Sequence, residues 1–310
     1  MQRSIPAAAN PPDLLPAAAP VHRRHRDLTP FWFLLPATIF LLALTVVPAV
    51  TLLYNSLRDW SLIYPTRARF VGLGNYVRLL QDERVHNALV VTVFYTAAAV
   101  VLQTVLGVGI ALLVDREFRG RSLARGLLLL PLITTPVVVA LTWRMLYDPT
   151  FGMVNYLLRA VGLPGPSWLA DATLALPAVV LVDVWEWTPF VVLVALAGLQ
   201  SVPPDLIEAA SIDGASWFQT LTAILLPVIR PVILVAVLFR TMDTLRSLDT
   251  VYVLTNGGPG TSTETLNMLG YLTSFKFLEM GYGAALAVVI LIAVTLASQL
   301  LVNATGLERE

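Results

Sequence analysis

A polar stretch of the chain, residues 203–227, lies between two long apolar runs and constrains the fold more than any other segment. It carries three carboxylates, which cost too much free energy in lipid to be placed there: Asp205, Glu208 and Asp213. The stretch must therefore lie outside a bilayer, while the apolar runs on both sides of it are long enough to cross one.

The same stretch predicts a helix, a bend and a second helix. Two consecutive prolines can open the first helix, because the first helical amides have no acceptor within the helix. Gly214 can adopt the left-handed conformation that commonly ends a helix. Trp217 and Phe218 then begin a second amphipathic segment, which Pro227 is expected to close. A rigid bend that exposes apolar side chains such as Trp217 and Phe218 can dock into a groove on another protein.

Composition indicates a polytopic membrane protein. Of the 310 residues, 57% are hydrophobic and 13% are charged, whereas a soluble domain carries about 25% charged residues. The chain has no cysteine, which excludes disulfides, thiolate metal sites and cysteine nucleophiles. Its formal net charge is zero, so nothing indicates a nucleic-acid partner. We expect no catalytic residue and no metal site.

Six apolar runs predict an all-α polytopic membrane protein with six transmembrane helices. The predicted spans are residues 31–53, 87–114, 126–147, 173–199, 227–248 and 282–302. Pro131 and Pro136 predict kinks in the third span. The transmembrane domain covers residues 27–303 and contains a polar loop, residues 200–226, which we call the 200–226 loop. A disordered tail, residues 1–26, precedes the domain, and a short tail, residues 304–310, follows it.

The distribution of arginine supports in part a topology with both termini in the cytoplasm, and the 200–226 loop, whose expected partner is cytoplasmic, decides it. A basic cluster at residues 22–26 precedes the first span, and the loop after the second span, residues 115–125, carries four arginines. Five arginines in the first outer loop, residues 54–86, weaken this bias. The 200–226 loop falls on the same side as the termini.

Charged residues inside spans are expensive and usually pair with one another or serve a pathway. The fourth span contains Asp183 and Glu186. In the fifth, charged residues recur every three positions, which places neighbours within reach of one another on a helix: Arg240, Asp243, Arg246 and Asp249. They form either an internal ladder of ion pairs or the wall of a polar cavity shared with a partner subunit.

The outer end of the fifth span gathers groups of the kind that bind sugars, which are recognised by hydrogen-bonding side chains and aromatic faces. The predicted substrate residues are Asp249, Tyr252, Asn256, Glu186, Arg240, Asp243 and Arg246, with Trp185, Trp187 and Tyr271 as aromatic candidates. A phosphorylated substrate would require an unpaired arginine, which Arg240 or Arg246 could supply. Alternatively, Asp249 caps the helix where it unwinds towards a glycine-rich segment.

The polar stretch resembles the EAA loop of ATP-binding-cassette importer permeases. It matches that motif without a gap: Glu208-Ala209-Ala210, three residues, Gly214, nine residues, Ile224, one residue and Leu226-Pro227. Residues 71–76, 185–190 and 248–259 resemble segments of sugar permeases, in particular the first permease subunit of the maltose, trehalose and glycerol-phosphate branch. The resemblance implies the type I importer fold and a cytoplasmic 200–226 loop, and it does not specify one sugar.

The resemblance also implies which other molecules take part. The residues implied to contact an ATPase are Glu208, Ala209, Ala210, Asp213, Gly214, Trp217 and Phe218. The chain has no Walker-type glycine loop, so we expect it to bind no cofactor, with ATP and magnesium held by two copies of an ATPase subunit. The other expected partners are a second homologous permease, an extracytoplasmic solute-binding protein and the lipids of a bacterial plasma membrane.

Three further functions stay open. A permease of the same class could import a polyol or glycerol phosphate rather than a sugar. A membrane-embedded transferase would need an acid/base group at one interface, and the predicted spans contain neither histidine nor cysteine. A channel would need several subunits around a filter. Neither the transferase nor the channel explains the EAA match, and co-purification with an ATPase would separate them from an importer.

Overall fold

The computed structural model describes residues 29–305, with side chains from residue 31 to residue 303. The predicted N-terminal tail, residues 1–26, lies outside this range, as do residues 306–310 of the predicted C-terminal tail. The chain divides into two units, the first ending at Ala49 and the second beginning at Val50. In the first unit, the described residues belong to the apolar helix α1, whose full extent is Thr29–Ser56.

The second unit is almost entirely helical. After α1 come two short antiparallel strands, β1 (Arg58–Asp59) and β2 (Arg69–Phe70). The remaining helices are α2 (Gly74–Gln81), α3 (Glu83–Asp115), α4 (Arg121–Ile133), α5 (Pro136–Leu146), α6 (Met153–Ala160), α7 (Ala175–Gln200), α8 (Pro204–Ile212), α9 (Trp217–Thr220), α10 (Leu226–Thr244), α11 (Asp249–Thr255), α12 (Leu266–Tyr271) and α13 (Met280–Thr305). A 3₁₀ turn covers Pro65–Arg67, and π-helical turns cover Leu221–Leu225 and Leu272–Lys276.

Within the described part of the chain, five continuous helical segments are long and apolar enough to cross a membrane. They are Phe31–Ser56, Glu83–Asp115, Ala175–Gln200, Trp217–Thr244 and Met280–Asn303. α4 and α5 form a sixth candidate only when they are taken together as a bent pair. The predicted all-α membrane fold is confirmed, with one of its six spans broken.

The broken span is the third. The sequence predicts a single kinked span over residues 126–147, but α4 ends at Ile133, α5 begins at Pro136, and the two helices are bent by 99°. Thr134 and Thr135 join them in extended conformations, with ψ of 141° and 144°. Pro136 favours this break, because its ring disfavours the helical conformation of the preceding residue.

The fifth span begins earlier than predicted. Pro227 does not close the second helix of the 200–226 loop; instead, one helix rises without interruption from Trp217 to Thr244. A π-helical turn precedes the proline, and in it the amide of Leu226 donates to the carbonyl of Leu221. The turn changes the hydrogen-bond register at the point where the proline offers no donor, so the helix continues.

α3, α7 and α10 pack against one another and form the core of the second unit. Where α3 crosses α7, a Cβ placed on Gly107 would lie 2.6 Å from the Cβ of Val191, so this approach requires glycine. Small and β-branched side chains fill the contact with α10: Ala111, Val192, Ala195 and Ile229. The close packing brings polar residues of the three helices within hydrogen-bond distance of one another.

The connection between α11 and α12, residues 256–265, is held against the start of α3. Arg84 donates to both carboxylate oxygens of the buried Glu264, at 2.7 and 2.6 Å. Asn87 donates to the carbonyl of Thr261 at 3.0 Å. These bonds fix the position of α11, which carries two of the predicted substrate residues.

Candidate functional site

A closed set of hydrogen bonds joins three helices inside the core. Arg240 of α10 donates from Nη2 to Oδ2 of Asp183 in α7 and from Nε to Oε1 of Gln103 in α3, both at 2.9 Å. Gln103 donates to the same oxygen of Asp183 at 2.7 Å. All three residues are at most 2% exposed. We call Gln103, Asp183 and Arg240 the polar triangle, and it ties α10 to α3 and α7.

Each nitrogen of the Arg240 guanidinium donates one hydrogen bond. Nη1 donates to Oδ2 of Asp243, one turn further along α10, and the group lies 4.4 Å from the centre of the Trp187 ring. The side chain of Asp243 remains 53% exposed. Of the predicted series of ion pairs along this span, only the pair between Arg240 and Asp243 is therefore present. Arg246 forms no salt bridge within residues 29–305, and its Nε donates to the carbonyl of Met242.

Glu186 is a buried carboxylate that lacks a donor on one of its oxygens. The residue is 1% exposed, and its Oε2 has no hydrogen-bond partner among the described residues. It lies one turn after Asp183 on α7. An unsatisfied buried oxygen costs about 1–3 kcal/mol.

Aromatic rings lie beside α11. The ring centroid of Tyr252 is 5.2 Å from that of Tyr271, which is 5.4 Å from that of Phe275. The side chain of Tyr252 is 43% exposed. Trp185 packs edge-on against Trp143 of α5, with centroids 5.6 Å apart. The structure therefore brings Tyr252 and Tyr271 into contact, whereas Trp185 contacts Trp143 instead of these two rings.

Tyr252 and Asn256 do not share a helical face, because α11 ends at Thr255. Asn256 adopts the left-handed conformation, with φ of 53°, and its amide donates to the carbonyls of Val251 and Tyr252. Asparagine is among the few residues that tolerate this position after a helix. Asp249 is exposed and occupies the first position of α11, where its charge interacts favourably with the helix dipole.

The 200–226 loop forms the predicted helix, bend and second helix. α8 ends at Ile212, Gly214 has a φ of 75°, and α9 begins after Ser216. The predicted left-handed bend at Gly214 is confirmed. Ser216 and Gln219 form a capping box, in which the amide of Ser216 donates to Oε1 of Gln219 at 2.7 Å. This bond pattern stabilises the first turn of the long helix.

The loop presents an apolar surface edged by carboxylates. Its exposed large apolar side chains are Leu206, Ile207, Ile212, Trp217 and Phe218. Glu208, Ala209 and Asp213 are also exposed, whereas Ala210 is buried. The guanidinium of Arg116, just after α3, lies 5.5 Å from the centre of the Trp217 ring, so the loop is tied to the end of α3.

Sequence reasoning misses two parts of this arrangement. The first is Gln103, which completes the polar triangle. In the sequence it is an amide in the middle of an apolar span, and a buried amide needs hydrogen-bond partners. Ser216 and Gln219 stand three residues apart before an apolar run, which is the spacing of a capping box. Both signals are present in the sequence, but each is weak when it is taken alone.

Comparison with known proteins points to one family. A family model described as "Binding-protein-dependent transport system inner membrane component" matches residues 103–305, which contain the polar triangle, Glu186, α11 and the 200–226 loop. A probable ABC transporter permease protein of Sinorhizobium fredii, y4oQ, is 41% identical over 266 residues, which make up 86% of each chain.

Two further matches concern transport of saccharides. The trehalose/maltose transport system permease protein MalF of Thermococcus litoralis is 37% identical over 264 residues, which are 85% of this chain and 89% of the relative. The structure of a bacterial alginate ABC transporter, solved in complex with an alginate pentasaccharide-bound periplasmic protein, matches with a TM-score of 0.78 at 22% identity. That match covers 89% of this chain and 93% of the other, and it supports the fold.

Proposed function

The chain belongs to the family of binding-protein-dependent transport system inner membrane components, and from this premise we propose that it lines the sugar pathway of an ATP-driven importer. As a multi-pass permease component it is not itself catalytic. The observation that carries the proposal is the uninterrupted helix from Trp217 to Thr244.

This helix joins the two regions that the proposal concerns. It begins in the 200–226 loop with the exposed Trp217, and it carries Arg240 of the polar triangle about 35 Å further along, at about 1.5 Å per residue. The helix includes a π-helical turn at Leu221–Leu225 and two prolines, but it continues from the loop to the triangle as one segment. We therefore propose that a displacement of the loop is transmitted to the triangle. A partner therefore acts on the loop, and the substrate pathway responds at the triangle.

The surface of the 200–226 loop indicates which proteins bind this chain. Its apolar and acidic surface fits a groove on an ATPase subunit, and the proposed contacts are Glu208, Ala209, Asp213, Gly214, Trp217 and Phe218. Ala210 is buried and supports this surface from inside the loop instead of contacting the ATPase. ATP and magnesium belong to the ATPases, since this chain has no Walker-type loop to bind them. One chain offers one loop and a pair of ATPases offers two grooves, so a second homologous permease completes the pathway.

A sugar is the proposed substrate, delivered by a solute-binding protein on the outer side. The relative MalF is named for trehalose and maltose, and the alginate transporter was solved with a saccharide-bound periplasmic protein. Carboxylates and aromatic rings, which suit sugars, are carried by α7, α10 and α11. The proposed substrate residues are Glu186, Asp243, Asp249, Tyr252 and Asn256. In this proposal Arg240 orients Asp243, and Arg246 lies at the outer end of the site.

The proposal predicts ATP-dependent uptake of trehalose into vesicles that hold this chain with its second permease, ATPases and binding protein. In these vesicles Tyr252→Ala and Asn256→Gly should each reduce uptake at low substrate concentration about tenfold, since a lost substrate hydrogen bond is worth about 1–3 kcal/mol. Glycine keeps the left-handed backbone at position 256, so α11 is preserved.

The control for these variants is Tyr156→Ala, which removes a more exposed tyrosine ring from α6 and should leave uptake unchanged. The amount of assembled complex is measured for every variant. Unaltered apparent affinity in both Tyr252→Ala and Asn256→Gly would place the sugar site elsewhere, and uptake without ATP would indicate a channel.

The proposed orientation places both termini and the 200–226 loop in the cytoplasm. Since the chain has no cysteine, single cysteines report without background. Thr66→Cys, exposed between β1 and β2, should react with a membrane-impermeant maleimide added to whole cells. Ser211→Cys, exposed in α8, should react only after the cells are opened. The reverse pattern would invert the topology.

A further inference from the structure

We propose that an anionic phospholipid occupies a cleft between α4 and α7, with its phosphate held by Arg125. The end of the cleft that takes the phosphate is lined by Arg125, Leu128 and Leu129 of α4 and by Leu196, Ala197 and Gln200 of α7, and we call the whole groove the α4–α7 cleft. The inference goes beyond the proposed function, because it concerns a ligand that is bound and not transported.

The length of the cleft is the first observation. A cavity of about 330 Å³ beside Arg125 shares Leu128 and Val192 with a second cavity of about 770 Å³, which reaches Trp185. From Gln200 to Trp185 the cleft follows α7 for about 22 Å, at about 1.5 Å per residue. One leaflet of a bilayer contributes about 15 Å of hydrocarbon. The cleft is therefore long enough to take an acyl chain through the full depth of a leaflet.

The walls of the cleft suit an acyl chain. Its lining contains no carboxylate among the described residues, and the hydroxyls of Thr188 and Tyr147 donate to backbone carbonyls of α7. Leu181, Trp185 and Leu193 are exposed along it, so the cleft opens towards the outside of the helix bundle. An apolar surface that opens sideways in a membrane is covered by lipid tails or by another helix.

The guanidinium of Arg125 is the second observation, and it selects between these two covers. Its Nε is buried and has no acceptor within residues 29–305. Its Nη2 donates to the carbonyl of Val114 over a long 3.4 Å, and that carbonyl already accepts a shorter bond, of 3.0 Å, from Nε of Arg121. Arg125 is therefore held loosely by the protein and can turn an unsatisfied donor to a phosphate oxygen, which an apolar helix does not supply.

The charge at this end of the cleft favours a headgroup with a net negative charge. Residues 115–125 hold four arginines and two carboxylates, and one of the carboxylates, Asp115, is paired with Arg121. A zwitterionic headgroup would bring its own cation beside the remaining arginines, whereas an anionic one would not. Gln200 leads directly into the 200–226 loop, so in the proposed orientation the phosphate lies at the cytoplasmic leaflet.

The test maps lipid contacts in the complete importer, reconstituted in phosphatidylcholine vesicles. The probes are a phosphatidylglycerol and a phosphatidylcholine that carry the same photoreactive diazirine in one acyl chain, each added at the same amount. After illumination, mass spectrometry identifies the labelled peptides of this chain. We expect the share of label on the lining of the α4–α7 cleft to be about tenfold higher with the phosphatidylglycerol probe.

Two pairs of variants test the two parts of the site. Arg125→Gln should reduce labelling of the cleft by the phosphatidylglycerol probe about tenfold, whereas Arg119→Gln, an exposed arginine outside the lining, should leave it unchanged. Ala197→Phe places a ring inside the cleft and should exclude the acyl chain. Its control is Ala97→Phe, at an exposed position of α3 outside the cleft. The amount of assembled complex is measured for every variant.

The proposal is overturned if the two probes label the cleft equally, or if an assembled Arg125→Gln variant is labelled like the unmodified importer. It is also overturned if other helices of this chain are labelled while the cleft is not, because a helix of the second permease then covers it. If Arg125→Gln does not assemble, the comparison of the two probes and the Ala197→Phe variant still decide the matter. None of these measurements depends on sugar uptake, so they succeed or fail separately from the proposed function.

Discussion

Replacing Arg240 with methionine is expected to destabilise the protein by about 3–5 kcal/mol, because the change leaves Asp183 buried without its cation. Both side chains of this ion pair are 3% exposed, so water cannot replace the lost partner. The loss should appear as a large drop in the midpoint of thermal unfolding, followed by tryptophan fluorescence of the purified complex in detergent. Transport should be lost as well.

The double variant Asp183→Leu, Arg240→Met distinguishes the stability lost through an unpaired buried charge from the stability lost through altered packing. It removes both ions of the pair, and replacing a buried pair by apolar groups is often close to neutral. Most of the stability should therefore return, except for the part lost when the amide of Gln103 loses its two partners. Transport should not return, because the site has lost its charged groups.

Asp243→Asn is the control for these two variants. Its carboxylate is 53% exposed, so the amide that replaces it is solvated and stability should change by less than about 1 kcal/mol. If Arg240→Met proves as stable as the unmodified protein, or if the double variant is as unstable as the single one, the polar triangle does not hold the three helices together.

Hydropathy suffices to predict most of the membrane architecture, because burial in lipid requires long apolar helices whatever their partners are. The positions of α3, α7 and α13 follow directly from the apolar runs. The bend at Gly214 is also predictable, since a glycine after a polar helix favours a left-handed stop.

The sequence does not determine whether a proline breaks a transmembrane helix or lies within it. Pro136 breaks the third span by 99°, whereas Pro227 lies inside an unbroken helix. The difference depends on neighbouring backbone: a π-helical turn precedes Pro227, while Thr134 and Thr135 take extended conformations before Pro136. Neither choice is visible in the apolar pattern, which is continuous through both prolines.

The candidate site is only partly predictable for a different reason. The three-residue spacing of Arg240 and Asp243 predicts their ion pair, because that contact is local to one helix. The stronger contacts of Arg240 reach Asp183 and Gln103, which lie on other helices far away in sequence. Spacing along the chain carries no information about which faces of separate helices meet, so these bonds emerge only from the packing of α3, α7 and α10.

The central claim is that the bend at Gly214 passes motion from an ATPase to the polar triangle through the helix Trp217–Thr244. Gly214 has a φ of 75°, and a Cβ added there would meet nothing within 4 Å. A substitution at this position therefore tests backbone conformation without a steric clash. Valine is strained in the left-handed region, by about 1–2 kcal/mol, whereas asparagine tolerates it.

The most direct test is the amount of sugar transported per ATP hydrolysed by the reconstituted importer with Gly214→Val and with Gly214→Asn. We expect the valine variant to assemble but to lose this coupling by about tenfold, in proportion to the strain at the bend. The asparagine variant should stay within about twofold of the unmodified importer. Equal coupling in a fully assembled valine variant would contradict the claim that the bend transmits the motion.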